Sequence, residues 1–267
     1  MSDKQPTGEQ ALRSQVGLSA FKADWTSPAH RARRLVAEFF GVFGLTFILS
    51  GGAAVLTGYG DDGSTPPAYI VVLILSLVSA LWLVAAIYFL GDISAHFNPA
   101  MTLAFALRGD MGWVMAVVYW LVQFAAATLG TLVAMWLFGD AGGLASVKPQ
   151  PGMEIQAVVV EAILVFLMVL MVLGMANGPK LNGQYVPLAV GAYILAFGTM
   201  AGAFDGAAMN PARAFGPNLI AGAMDTYWVY LVGAVLGAIA AVGAARFLRG
   251  RAKAQEASAA MGNPTAG

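Results

Sequence analysis

Cysteine is absent from this chain, which excludes disulfides, thiolate chemistry and cysteine metal sites. Charge is nearly as scarce, at 10% of residues, where a soluble domain carries about 25%. Fourteen basic and fourteen acidic residues cancel to zero, which argues against a nucleic-acid partner. Two histidines and no Ser/His/Asp constellation leave nothing from which to build a catalytic centre, so no enzyme activity, metal or cofactor is expected. Residues 1–33 are polar and lack the apolar core of a cleaved signal peptide, and none is expected.

What remains is apolar. The chain is 59% hydrophobic and contains 32 glycines. Six stretches, 35–56, 69–90, 113–138, 155–175, 185–204 and 227–246, reach or approach the ~20 residues that cross a bilayer. Three hold no charge; the first contains Glu38, the fourth Glu161, and the sixth ends on Arg246. With both termini in the cytoplasm, twelve of the fourteen basic residues fall inside and only Lys148 and Arg213 outside, which sets the orientation. The polar tails, 1–30 and 250–267, flank a membrane domain at 31–249. Its short loops suggest a bacterial inner membrane, that is, a multi-pass protein of the cell (inner or plasma) membrane with the lipid bilayer as its surroundings.

Two further apolar segments, 97–109 and 210–221, are too short to span. Each opens on Asn-Pro-Ala: Asn98-Pro99-Ala100 and Asn210-Pro211-Ala212. Asn is a strong helix N-cap and Pro suits the first helical position, so each motif reads as a helix start. Ten residues of helix cover roughly 15 Å, about half of a ~30 Å hydrocarbon core. The two halves, 31–138 and 153–249, echo each other, each with an early Glu, a second span and then Asn-Pro-Ala. Three spans per half is odd, so the second half must be inverted, and two half-helices can meet N-terminus to N-terminus at the midplane. Two N-termini of about +0.5 charge each, facing one passage, would repel cations without a charged side chain. A capping Asn uses its side-chain oxygen on the helix and would leave its NH₂ for a passing solute.

The strings AEFFGVFGLTF, GDISAHFNPAMT, VEAILVF and GAAMNPARAFGPNL carry a specific resemblance. Over about residues 31–249 the chain resembles the major intrinsic proteins, the aquaporin and aquaglyceroporin family. The resemblance implies an all-α membrane protein: a right-handed inverted repeat of six transmembrane helices and two re-entrant half-helices. It also implies one pore per protomer and a homotetramer. Asn98 and Asn210 match the family's pore asparagines. Arg213 matches the arginine of the outer selectivity filter, whose charge is tolerable at membrane depth only beside a wet cavity. Gly198 and Ala207 fall at two further filter positions. The fourth is Ser79 if the shortened run Ile93–Asn98 carries a gap and Val78 if it does not, with Trp82 one turn further along as the rival. His96 matches the cytoplasmic pore histidine. Glu38 and Glu161 match supports of the re-entrant loops. Asp205 stands where Ser or Thr is usual, either offsetting Arg213 or capping its turn. A Ser79, Gly198, Ala207 and Arg213 filter would be wide and polar. The implied function is passive conduction of water and small uncharged solutes (glycerol, urea or metalloid acids), with protons and ions excluded. A strictly water-selective channel is the alternative; a coupled transporter or a structural membrane protein would be a different class.

Overall fold

The computed structural model describes residues 28–60, 65–176 and 185–250. The tails expected at 1–30 and 250–267 fall almost wholly outside the described residues. Among the described residues eight α-helices follow in order: α1 Pro28–Gly58, α2 Ala68–Leu90, α3 Pro99–Arg108, α4 Trp113–Phe138, α5 Glu154–Ala176, α6 Val186–Asp205, α7 Pro211–Ile220 and α8 Tyr227–Arg249. All but α3 and α7 are long and apolar enough to cross a membrane. Their exposed faces are rich in large apolar residues such as Leu81, Leu121, Trp136 and Ile163, as a lipid-facing surface requires. The protein is therefore a multi-pass membrane protein.

The two short helices begin and end for local reasons. Asn98 and Asn210 have extended backbones, and their side-chain oxygens accept the N–H of Ala100 and Ala212, with Pro in the first turn of both helices. Helix α3 stops at Gly109, whose φ of +85° only glycine adopts without strain. Its C-terminal carbonyl at Leu107 accepts a 2.6 Å hydrogen bond from Arg246, which places positive charge at the negative end of the helix. Each helix is ten residues long, so neither can cross the bilayer.

The repeat is visible in the packing. Helix α1 lies on α4, α5 lies on α8, and α2 pairs with α6 across the halves. The half-helices cross over as well: α3 packs on α8, and α7 packs on α4. Neither repeat closes without the other. At the two equivalent span pairs a glycine lets backbones approach. A Cβ on Gly130 of α4 would strike the carbonyl of Phe43 and the hydroxyl of Thr46, and one on Gly237 of α8 would strike the carbonyl of Ala162.

That closeness predicts an asymmetric response along a single helix. Gly237→Leu should lower the thermal unfolding midpoint in detergent by several degrees, since overpacking costs about 1–3 kcal/mol. Gly243→Leu, where a Cβ meets nothing within 4 Å, should leave the midpoint near wild type.

Candidate functional site

The residues before each Asn-Pro-Ala must turn the chain sharply inside the membrane. They do so in conformations that L-residues avoid: φ is +48° at Phe97, +43° at Ala207 and +53° at Met209. Each such residue costs about 1–3 kcal/mol unless its surroundings impose it. The two span glutamates impose it. Glu38, fully buried on α1, accepts the N–H of His96 and of Phe97, both at 2.8 Å. Glu161, fully buried on α5, accepts the N–H of Ala208 and of Met209, the latter at 2.8 Å. In each half the carboxylate grips the two residues preceding Asn. Because a peptide unit is planar and trans, an N–H turned toward the carboxylate turns the preceding carbonyl away. The carbonyls of Ala95, His96, Ala207 and Ala208 thus point away from the glutamates as a row of acceptors.

The two asparagines close the junction reciprocally. Asn98 Nδ2 donates to the carbonyl of Met209 at 2.8 Å, and Asn210 Nδ2 donates to the carbonyl of Phe97 at 2.8 Å. The half-helices therefore meet N-terminus to N-terminus, each tied to the loop of the other. Each NH₂ commits one hydrogen to this link and keeps one, so half the amide, not all of it, is left for a solute. Trp120 and Tyr227 add a second tie by donating to the carbonyls of Pro99 and Pro211 at 3.1 and 3.2 Å.

Glu38 sits in a larger network than Glu161. Ser94 Oγ and Gln123 Nε2 also donate to it, at 2.7 and 2.8 Å, so it accepts four hydrogen bonds. The second hydrogen of Gln123 goes to Thr102 Oγ1, which lies 3.0 Å from His96 Nδ1 and donates to the carbonyl of Asn98. With the Thr102 hydrogen used there, Thr102 Oγ1 is left as an acceptor and His96 carries a proton on Nδ1. The imidazole is further held between Phe105 and Tyr119. Gln123 was legible in principle as the one amide in the apolar run 113–138. Ser94 and Thr102 both lie in the string GDISAHFNPAMT that carries the resemblance.

Arg213, half-buried at the start of α7, donates from Nη1 to the carbonyl of Ala145 at 3.2 Å. That carbonyl is presented by a turn in the loop 139–152 whose residues Gly142, Gly143, Leu144 and Ala145 all have φ between +56° and +65°. Two of the four are not glycine, and the turn is held by Ser50 Oγ, which donates to the Leu144 carbonyl at 2.8 Å. Further on, Asn218 of α7 both accepts from and donates to the backbone of Val147, at 2.8 Å each way. The loop 139–152 is thus a fixture of the site, with Ala145 and Asn218 as parts that sequence reasoning missed. Asp205 makes no ion pair with Arg213 among the described residues. Its Oδ1 accepts the N–H of Ala207 at 2.8 Å, so it caps the turn, and its Oδ2 is buried without a partner.

The remaining candidates divide. Trp82 donates its indole N–H to the carbonyl of Gly41 at 2.9 Å, and its ring covers Gly44, so it is seated against α1. Val78 is half-buried and offers no polar atom. Ser79 is buried on the inner face of α2, and its hydroxyl donates to the carbonyl of Ser76 at 3.0 Å. Gly198 of α6 faces Ser76, not Ser79: a Cβ there would lie 2.7 Å from the Ser76 hydroxyl oxygen.

Comparison with known proteins adds a family to this geometry. Residues 25–244 match the sequence model of the major intrinsic protein family. The chain is 36% identical over 219 residues to Aquaporin NIP1-1 of Zea mays, covering 81% of this chain and 75% of that one. It is 33% identical over 223 residues to Aquaporin NIP2-1 of Oryza sativa subsp. japonica, covering 83% and 72%. Among solved structures it is similar in fold to the X-ray structure of the aquaglyceroporin from Plasmodium falciparum, with a TM-score of 0.67, 21% identity, and 79% and 94% of the two chains covered.

The carboxylate grip can be tested directly. Glu161→Ala leaves the N–H groups of Ala208 and Met209 without an acceptor, at about 1–3 kcal/mol each. We expect a lowered unfolding midpoint in detergent and a several-fold loss of water permeability in proteoliposomes. Glu161→Gln, which keeps one acceptor oxygen, should fall between. An alanine variant as permeable as wild type would show that the grip is not needed.

Proposed function

The chain belongs to the major intrinsic protein family, and from that premise we propose that water and small uncharged solutes cross it passively between the two half-helix N-termini, while protons and ions are excluded. It is a channel and not an enzyme. The observation that carries this reading is the reciprocal junction: each Asn caps its own half-helix, bonds the loop of the other and keeps one N–H to offer.

Along such a path the solute finds donors and acceptors in fixed places. The acceptors are the carbonyls of Ala95, His96, Ala207 and Ala208. The donors are the free amide hydrogens of Asn98 and Asn210 at the midplane and the guanidinium of Arg213 at the outer end. A water molecule at the midplane accepts from both asparagines, so its own hydrogens point outward along the path. Between those donors no acceptor is offered through which a proton could pass to the next water. The paired helix N-termini add a positive potential that repels hydronium and metal cations. Arg213 adds a second barrier of the same sign.

Ser79, Gly198 and Ala207 would line the outer constriction with Arg213, and all three are small. Space left by absent large side chains fills with water or a solute when polar partners remain. With Trp82 bonded to α1, an open filter is the reading the contacts support. His96 would serve the cytoplasmic side of the path. We further infer that residues 31–249 form the channel domain as repeats 31–138 and 153–249, and that both termini lie in the cytoplasm of a cell-membrane protein. Four copies would assemble as a homotetramer, each with its own pore.

The deciding measurement is stopped-flow permeability of proteoliposomes to water, glycerol, urea and undissociated arsenous or silicic acid. Water and at least one larger neutral solute should cross faster than in empty liposomes. Water flux alone would leave a strictly water-selective channel. Arg213→Val should admit protons or cations while keeping most of the water flux, read from a pH-sensitive dye inside the vesicles. Unchanged proton conductance would mean that the helix N-termini suffice.

A further inference from the structure

Helix α6 approaches α2 through three glycines. A Cβ on Gly191 would strike Val84, one on Gly202 would strike Val72, and one on Gly198 would strike Ser76. Two of these contacts are apolar, as a dry crossing of membrane helices should be. The middle one puts a hydroxyl there instead. Other buried helical hydroxyls are satisfied by a carbonyl one turn back: Thr46 by Val42, Thr131 by Ala127, and Ser79 by Ser76 itself. The Ser76 hydroxyl has no hydrogen-bond partner among the described residues, although a carbonyl one turn back is within the usual reach of a helical serine. Ser76 is 8% exposed, so it is covered but not sealed, and its oxygen is not among the buried atoms that lack a partner. An unpaired hydroxyl in the bilayer costs about 1–3 kcal/mol unless water or a solute reaches it.

Resting on the channel reading above, we propose that Ser76 is a specificity-determining residue of the outer constriction, whose hydroxyl hydrogen-bonds small neutral polyol-type solutes through the notch left by Gly198. Its oxygen lies 2.7 Å from where the first atom of a side chain at 198 would stand. The polar group that α6 omits is thereby supplied from α2. Ser79 cannot replace it as a donor, because its hydrogen already goes to the Ser76 carbonyl. The constriction therefore carries two hydroxyl-bearing residues on α2, three positions or ~4.5 Å of helix rise apart. That spacing suits a solute with hydroxyls on neighbouring carbons better than it suits single waters.

The test is the ratio of glycerol to water permeability in proteoliposomes, which cancels differences in the amount of folded protein. Ser76→Ala should lower the ratio roughly three- to tenfold, the size of one neutral hydrogen bond. Gly198→Ala, whose methyl displaces the Ser76 oxygen without removing it, should lower the ratio in the same direction. Thr199→Ala, on the exposed face of α6, should keep the wild-type ratio. If the wild type conducts glycerol and both Ser76→Ala and Gly198→Ala keep its ratio, Ser76 is a packing residue and the inference is overturned. A wild type no more permeable than empty liposomes to either solute would instead overturn the channel reading, and this inference with it.

Discussion

A chain that stops halfway through a bilayer exposes backbone polar groups where no lipid can satisfy them, and that constraint organises the molecule. Both half-helices end at the midplane, so the loops leading into them need acceptors for N–H groups and donors for carbonyls within the protein. Glu38 and Glu161 supply the first and the two asparagine amides supply the second. Burying two carboxylates in apolar helices would be prohibitive alone. It is tolerable because each receives at least two backbone hydrogen bonds, and Glu38 receives four. The same contacts hold Phe97, Ala207 and Met209 in strained conformations that turn a row of carbonyls the opposite way. Structural satisfaction on one side of the loop creates the hydrogen-bonding surface on the other.

The two halves answer this constraint alike at the junction and differently around it. The first half builds a buried cluster of Glu38, Ser94, Gln123, Thr102 and His96, closed by Tyr119. The second half invests in the loop 139–152, where a left-handed turn meets Arg213 and Asn218 locks Val147. Pseudo-symmetry is thus strict where the half-helices meet and relaxes with distance from the midplane. The second half carries the Arg213 charge, and the first half carries the neutral side chains around Glu38.

Much of this was legible in the sequence because the relevant signals are local. Hydropathy located the spans, with ends within three residues of α2, α4, α5, α6 and α8, while α1 begins seven residues before the expected start. Asn-Pro-Ala marked the starts of α3 and α7, because capping and proline chemistry act within one turn. The geometry of Ala145 was illegible, since a backbone carbonyl carries no residue signature and its direction depends on four successive positive φ values. Ser76 was missed for a related reason. Counting along a helix identifies a position but not the rotation that decides which serine meets Gly198. Asp205 left two readings open from its neighbours in sequence, and only the bond to Ala207 distinguishes the cap from an ion pair.

The reciprocal amide bonds also bear on how such a chain comes to be. Ribosomes deliver residues in order, so Asn98 and Phe97 enter the membrane more than a hundred residues before Met209 and Asn210 exist to bond them. During that interval the first re-entrant loop has its carboxylate but lacks its cross-link. The nascent first half must wait, partly wetted or shielded by other apolar segments, until the second arrives inverted beside it. Closure of the midplane therefore waits for the second half, and the junction that would set selectivity does not exist in the first half alone.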